Sequence, residues 1–438
     1  MSHCRFVFCD LATLKGFMDR RKFLYGTGLI GFLAFLQACR LGNILEEATP
    51  AAQQPTLMPP KPTKPSISTS TSAPLNTVSP TSTLAPTNTP NVPTATSTPT
   101  TEVITPNSPL ATPTSTPTPT PTPTPYPSGP PSKLGLFVTR FDPAVLDITA
   151  EGQPALIKTL EFDGNFVQGL KDSSPTSLIV AQMPLDSHNL DVDQGPLVQA
   201  FVDQLLPLAT DPKRMAAIDA WEAYNEPIAD TPDRMKRLAE FEAERTRILA
   251  DNGIRSVIGN FSTGNPPLEL WPDFQAALES ARQYGGFLGL HEYAAPTMQH
   301  LTEGNEGWLT LRYRKVYRQF LEPMGFGDLP LLITECGVDG LVQPRPGPAE
   351  AQGWIDFIPM WLDELGFRDD PPGVYMDQLL WYDQNLQQDA FVKGAAIFLV
   401  GANTENWRTY DLLDPRAGRI ADLLKQYLSV HLPDGVTR

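Results

Sequence analysis

The sequence predicts an α/β protein: one closed (β/α)8 TIM-type barrel over residues 133–438, preceded by a long segment that forms no core. Three observations carry this expectation. From Lys133 onward, eight short apolar, β-branched runs alternate with longer helical patterns, which is the signature of repeated βα units. About 300 residues of ordinary globular composition lie there, a length that suits one barrel with insertions. Most of the 46 prolines in the 438-residue chain crowd instead into its first third.

In chain order, the first segment reads as an address. Met18-Asp19-Arg20-Arg21-Lys22-Phe23-Leu24 precedes an apolar run from Tyr25 to Phe35, which closes on Leu36-Gln37-Ala38-Cys39. A charged start, a short apolar stretch and small residues before a cut describe a secretory signal over residues 1–39. The twin arginines followed by Phe-Leu resemble a twin-arginine export signal. Leu-Gln-Ala-Cys resembles the lipobox of bacterial lipoproteins, which implies acylation of Cys39. The apolar run is short for the roughly 30 Å of hydrocarbon that a spanning helix crosses, so lipid is the expected anchor. Residues ahead of Met18 match no part of such a signal, and Met18 is the expected start.

Residues 40–132 form the second segment. Ala48 to Ser132 is dominated by Pro, Thr and Ser and ends in strict Thr-Pro alternation from Thr116 to Pro125. It has too few apolar side chains to offset its ordering entropy, so a disordered stalk is expected. Extended as polyproline II at about 3.1 Å per residue, it reaches up to roughly 250 Å. Its threonine density also permits O-glycosylation.

Charge and cysteine usage narrow the partners. The formal net charge is -16. An acidic surface repels phosphate backbones, which excludes nucleic acid, while neutral glycans stay compatible. Of Cys4, Cys9, Cys39 and Cys336, none has zinc-ligand spacing and only Cys336 lies in the globular part. No disulfide framework follows, and a core this large needs none. A metal-dependent hydrolase on such a barrel needs paired His-x-His ligands. The five histidines, His3, His188, His291, His300 and His431, form no such pair, so no metal or other cofactor is expected. A monomer is expected, touching membrane only through its lipid.

The eight runs are Leu134–Val138, Ala155–Leu160, Ser177–Gln182, Ala217–Tyr224, Ser256–Phe261, Phe287–Tyr293, Leu331–Thr334 and Gly394–Val400. Amphipathic stretches between them include Pro196–Ala209, Thr231–Asp251 and Thr310–Phe320. An extra helix, Met376–Asn385, is expected in the long connection after the seventh run. An open doubly wound sheet is the rival. It favours a glycine-rich turn after the first strand, and Val138-Thr139-Arg140-Phe141 offers none.

In such barrels the working residues sit at the C-terminal ends of strands. The fourth run leads into Trp221-Glu222-Ala223-Tyr224-Asn225-Glu226-Pro227, and the seventh into Thr334-Glu335-Cys336-Gly337. Asn-Glu-Pro after strand four with Thr-Glu-x-Gly after strand seven resembles glycoside hydrolase clan A, which contains the family 5 and family 39 enzymes. The resemblance spans Lys133 to the C-terminus as architecture plus motifs. It implies a retaining glycosidase with Glu226 as general acid/base, Glu335 as nucleophile, and Asn225 bonding the sugar 2-hydroxyl. The residues make a chemical case of their own. Glycosidic cleavage needs a proton for the leaving oxygen and a carboxylate on the opposite face, and carboxyls on different strands supply both.

The sixth run ends in His291-Glu292-Tyr293. The clan resemblance implies that Tyr293 hydrogen-bonds the nucleophile, with His291 contacting substrate or supporting the acid/base. Alternation puts His291 and Tyr293 on one face and Glu292, the rival carboxylate, on the other. Arg140 and Asp142 after strand one, Gln182 ending strand three, and Asn260 and Ser262 ending strand five are either sugar contacts or loop caps. Trp407 and Tyr410 after strand eight are either a stacking platform or core. Clan A members commonly carry a tryptophan at the end of strand eight, where this chain reads Phe398-Leu399-Val400-Gly401. The expected function is cleavage of O-glycosidic bonds in an oligo- or polysaccharide outside the cytoplasm. The alternative is a non-catalytic glycan-binding barrel tethered to the envelope. Replacing Cys39 with Ala is expected to move the protein from the membrane fraction to the soluble exported fraction. Unchanged membrane association of that variant refutes the lipobox.

Overall fold

The computed structural model describes residues 126–185 and 187–436. The signal, most of the stalk and Cys39 lie outside the described residues. Eight parallel strands are present: β1 Leu134–Val138, β2 Leu156–Thr159, β3 Leu178–Gln182, β4 Ala220–Glu222, β5 Val257–Phe261, β6 Phe287–Ala294, β7 Leu331–Val338 and β8 Val392–Val400. Their order is β4-β3-β2-β1-β8-β7-β6-β5. A parallel bridge between Trp221 and Ser256 joins the two ends and closes the barrel. The expected (β/α)8 architecture is the observed one.

The main helices are α1 Pro143–Gly152, α2 Gly164–Ser173, α3 Gln194–Ala209, α4 Pro212–Ala217, α5 Pro232–Asp251, α6 Gln275–Gln283, α7 Arg312–Val316, α8 Ile358–Asp363, α9 Pro371–Leu386 and α10 Ile420–Leu428. Several begin on one device. Asp142-Pro143, Asp211-Pro212, Thr231-Pro232 and Asp370-Pro371 each put a capping oxygen on a free backbone N–H and a proline where no N–H is needed.

Each strand contributes one alternate residue to the barrel interior. Phe137, Leu156, Val180, Ala220, Val257, Phe287, Leu332 and Ala396 pack together there. Their neighbours, such as Leu136, Ile157, Ile179, Trp221, Ile258, Leu288, Ile333 and Ile397, pack in the larger cluster with the helices. The barrel is a filled core, and its polar chemistry is confined to the strand ends.

Several expected boundaries shift, among them the Met376–Asn385 helix, which begins five residues earlier at Pro371 because Asp370 caps it. The fourth strand is only Ala220–Glu222, because α4 extends through Ala217 and consumes the start of the Ala217–Tyr224 run. The seventh extends past Thr334 to Val338, so Glu335 lies within the strand. The Thr310–Phe320 helix is split: α7 starts after Leu311, whose φ is 60°, and passes into a π turn at Tyr317–Leu321. Packing also begins ahead of Lys133. Tyr126 meets Tyr427 edge-on at 5.5 Å, and Nδ1 of His431 bonds the Pro130 carbonyl at 2.8 Å.

Closure at β4–β5 depends on the helix outside it. A three-residue strand cannot build a ladder, and the seam has one bridge with Trp221 N–H on the Arg255 carbonyl at 3.0 Å. Arg245 of α5, fully buried, donates to the Val257 carbonyl at 2.5 Å and the Trp221 carbonyl at 3.5 Å. Glu242 holds the guanidinium at 2.5 Å and accepts from the Gly259 N–H at 3.3 Å. One ion pair therefore clamps both edges. Breaking such a pair by removing one partner costs about 3–5 kcal/mol, because the other charge stays buried and alone. Arg245→Met is expected to lose about that much in equilibrium urea unfolding. Arg245→Met with Glu242→Leu should recover most of it. A loss under 1 kcal/mol in the single variant, of the order of a surface ion pair, argues against the clamp.

Candidate active site

Glu226, in the loop after β4, and Glu335, within β7, meet across the barrel mouth. One oxygen of Glu226, one of Glu335 and a ring nitrogen of His291 all lie within 4.8 Å of one another. Glu226 stands on the loop leaving β4, with φ of 45°, a left-handed conformation uncommon outside glycine and frequent at functional sites. Glu335 stands inside β7.

The environments of the two carboxyls differ. The Glu335 side chain is 9% exposed, and that of Glu226 is 36% exposed. Glu335 Oε1 accepts from Lys158 Nζ at 2.8 Å, and Oε2 from the Tyr293 hydroxyl at 2.7 Å. Nδ1 of His291 lies 2.7 Å from Glu226 Oε1 and 3.5 Å from Glu335 Oε2. The other ring nitrogen, Nε2, is buried and has no partner. An orphaned buried N–H is the costlier defect, so the proton belongs on Nδ1, facing the carboxyls. Burial would raise the Glu335 carboxyl, but His291, Lys158 and Tyr293 outweigh it and hold the group below its ordinary value.

Lys158 was not among the residues singled out from the sequence. It is fully buried in β2, 2.9 Å from Glu222 Oε2 as well as 2.8 Å from Glu335. The Phe137 ring lies beneath its ammonium at 4.8 Å. Burial alone would lower it, yet the charges of Glu222 and then Glu335 dominate and hold it above its ordinary value. A signal was available. A lysine at an alternate position of a run as apolar as Ala-Leu-Ile-Lys-Thr-Leu must point into the interior and needs an anionic partner there.

The remaining expected residues divide. Tyr293 and His291 join the pair, as their shared face requires. Asn225 stands beside Glu226, and its Oδ1 accepts from Gln182 Nε2 at 3.3 Å. Trp407 folds back onto the end of β8, its ring 5.4 Å from Phe398, which lies 6.0 Å from Tyr293. Phe398 and Trp407 thus pack together at the strand end where clan A members commonly carry a single tryptophan. Arg140 does not reach the glutamates: Nη2 pairs with Asp142 at 3.2 Å and Nε donates to the Ala402 carbonyl at 3.2 Å. Asp142 caps α1, and Ser262 accepts from Asn265 in its own loop. Asn260 is buried with neither amide atom partnered. Glu292 turns away from the cleft. It accepts from the backbone of Leu311 and Tyr313 at 2.8 Å each and from the Tyr382 hydroxyl at 2.7 Å, and burial pushes it up to about 7.

Glu226, His291 and Glu335 have the residue types of a metal site. Donors already occupy both oxygens of Glu335, however, and one of them is a cation, so this set is better suited to act as carboxylates.

No protein-family model matches the sequence, and no curated protein matches it. Solved structures do resemble the chain. A β-glucuronidase from Ruminococcus gnavus is 14% identical, with a TM-score of 0.42, over 68% of this chain and 50% of its own. A family 2 β-galacturonidase from Eisenbergiella tayi is 14% identical, with a TM-score of 0.46, over 71% and 52%. A family 128 endo-β-1,3-glucanase from Pseudomonas viridiflava is 15% identical, with a TM-score of 0.36, over 69% and 98%. This chain spans about half the length of the first two. At such identities, chemistry has to be read from the side chains of the cleft itself.

The Lys158 contact makes a direct test. In Lys158→Gln the Glu335 carboxyl loses a cationic donor, so its titration is expected to move to higher pH. Carboxyl-carbon NMR of glutamate-labelled protein reads the shift. An unmoved Glu335 signal means that the ammonium does not set its charge state.

Proposed function

We propose that this chain is a retaining O-glycosidase of the clan A type, acting on an oligo- or polysaccharide after export as a lipoprotein. The observation that carries the reading is the unequal carboxyl pair: Glu335 buried and held by Lys158 and Tyr293, with Glu226 more open and within 4.8 Å. Retaining enzymes set their carboxyls only about 5–5.5 Å apart, whereas inverting enzymes leave room for a water between them.

The residues divide the work. Glu335 attacks the anomeric carbon as the glycosidic C–O bond breaks, and Glu226 gives its proton to the departing oxygen. Glu226 Oε1 is taken by His291, so Oε2 delivers the proton. The glycosyl ester on Glu335 then falls to a water that Glu226 deprotonates, restoring both groups. Asn225 holds a ring hydroxyl beside the acid in this reading. The Phe398–Trp407 floor supplies the apolar surface on which a sugar ring stacks. The unequal carboxyl pair favours catalysis over the non-catalytic glycan-binding reading, which needs neither a proton donor nor a held carboxylate.

On an activated aryl glycoside, Glu335→Gly is expected to be nearly dead, with azide restoring turnover to the inverted glycosyl azide. Glu226→Ala should lose roughly 10²–10⁴-fold on substrates that need the acid, with azide rescue giving retained product. A mechanism-based fluorosugar should label Glu335. Turnover near wild type in either variant sinks the assignment.

A further inference from the structure

The charge inventory of the cleft bears on which sugars it admits. A uronic acid carries a carboxylate on the ring, and a carboxylate taken out of water needs a cationic or multiply donating partner. Two further carboxyl groups, Glu222 and Asp339, stand beside the candidate pair Glu226 and Glu335. Lys158 is fully buried and already divided between Glu222 and Glu335. Arg140 is held by Asp142 and the Ala402 carbonyl. Arg345, in the loop after β7, spends its three nitrogens on the carbonyls of Gly340, Pro346 and Ala351. Among the described residues, only Lys158 and His291 form an ion pair with Glu226 or Glu335, and none does with Asp339.

Asp339 directly follows β7, the strand of Glu335. Its Oδ1 accepts from the Tyr410 hydroxyl at 2.8 Å and from the Leu341 N–H at 2.8 Å. No donor among the described residues bonds Oδ2. Tyr410 packs on Phe398 at 5.1 Å, so the carboxyl borders the aromatic floor. Burial, with repulsion from Glu226 and Glu335, pushes it up to about 6. At neutral pH it is therefore an acceptor, already oriented by two donors, with one oxygen left for a ligand.

We propose that the cleft selects neutral sugars and rejects uronic acids, with Asp339 Oδ2 accepting a hydroxyl of the bound ring and repelling a ring carboxylate. The inference rests on the glycosidase reading and names its substrate class.

The test uses matched aryl glycosides that differ only in a hydroxymethyl or a carboxylate at C5, with the full chain and Asp339→Asn. The amide keeps an oxygen for Tyr410 and Leu341 and removes the charge. Wild type is expected to favour the neutral member by on the order of 100-fold or more in kcat/KM. Asp339→Asn should weaken the neutral substrate by about tenfold, as loss of a charged hydrogen-bond acceptor does, and narrow the ratio. A wild-type enzyme that cleaves the uronide as well as or better than its neutral partner overturns the inference and leaves the glycosidase reading standing. An unchanged ratio in Asp339→Asn overturns the role of Asp339. If neither substrate is turned over, the glycosidase reading falls, and calorimetry with neutral oligosaccharides against oligouronides decides the charge preference. Binding of the neutral set alone upholds it, whereas binding of uronides or of neither set ends it.

Discussion

One buried ammonium governs the mouth of this barrel. Lys158 projects from β2 between Glu222 of β4 and Glu335 of β7, and all three side chains are withdrawn from water. Two carboxylates so placed repel each other, and neither tolerates burial alone. A cation shared between them makes the arrangement possible, and leaves little freedom in where either carboxylate sits. Lys158 thus ties three strands across the top of an otherwise apolar interior. It also fixes Glu335 in advance of any ligand, which is how a site stabilises developing charge without reorganising.

The second constraint lies at the seam. β4 has three residues, and its end opens directly into the loop that carries Asn225 and Glu226. The spacing of the two carboxyls therefore depends on how firmly β4 is docked against β5. The sheet supplies one bridge there, and the buried Arg245–Glu242 pair supplies the rest from outside. Backbone next to this seam is unusual on both sides, with φ of 45° at Glu226 and 49° at Asn260. A helix on the outer layer is in this way coupled to geometry inside the mouth.

The sequence was most legible where its signals were periodic or local. Alternating apolar runs located all eight strands. Glu226, Glu335, His291 and Tyr293 came together because strand number and alternation fix their direction. What escaped was non-local. Neither Glu222 nor Asp339 has a sequence neighbour that names its partner, since Lys158 arrives from a distant strand and Tyr410 from the segment after β8. Arg140 looked like a sugar contact from its position, but a nearer carboxylate and a carbonyl claim it. The start of α4 within an apolar run hid the shortness of β4, because a short apolar stretch fits helix and strand alike.

If the chain works by the proposed retaining mechanism, the asymmetry of the two glutamates also says which would do which task. On the proposed mechanism a nucleophile has to be ionised, aimed and shielded, and two donors, with an imidazole 3.5 Å away, around a side chain that is 9% exposed would meet those needs for Glu335. An acid/base has to exchange its proton with a leaving group and then with water. That requires access and one free oxygen, and the 36% exposed Glu226, bonded among the described residues through Oε1 alone, would provide both. Interchanging the roles would ask Glu335 to hold a proton while facing an ammonium and a phenol that already donate to its oxygens. It would also ask Glu226 to stay charged with a single partner. The donors, more than the distance between the carboxyls, are what separate the two parts.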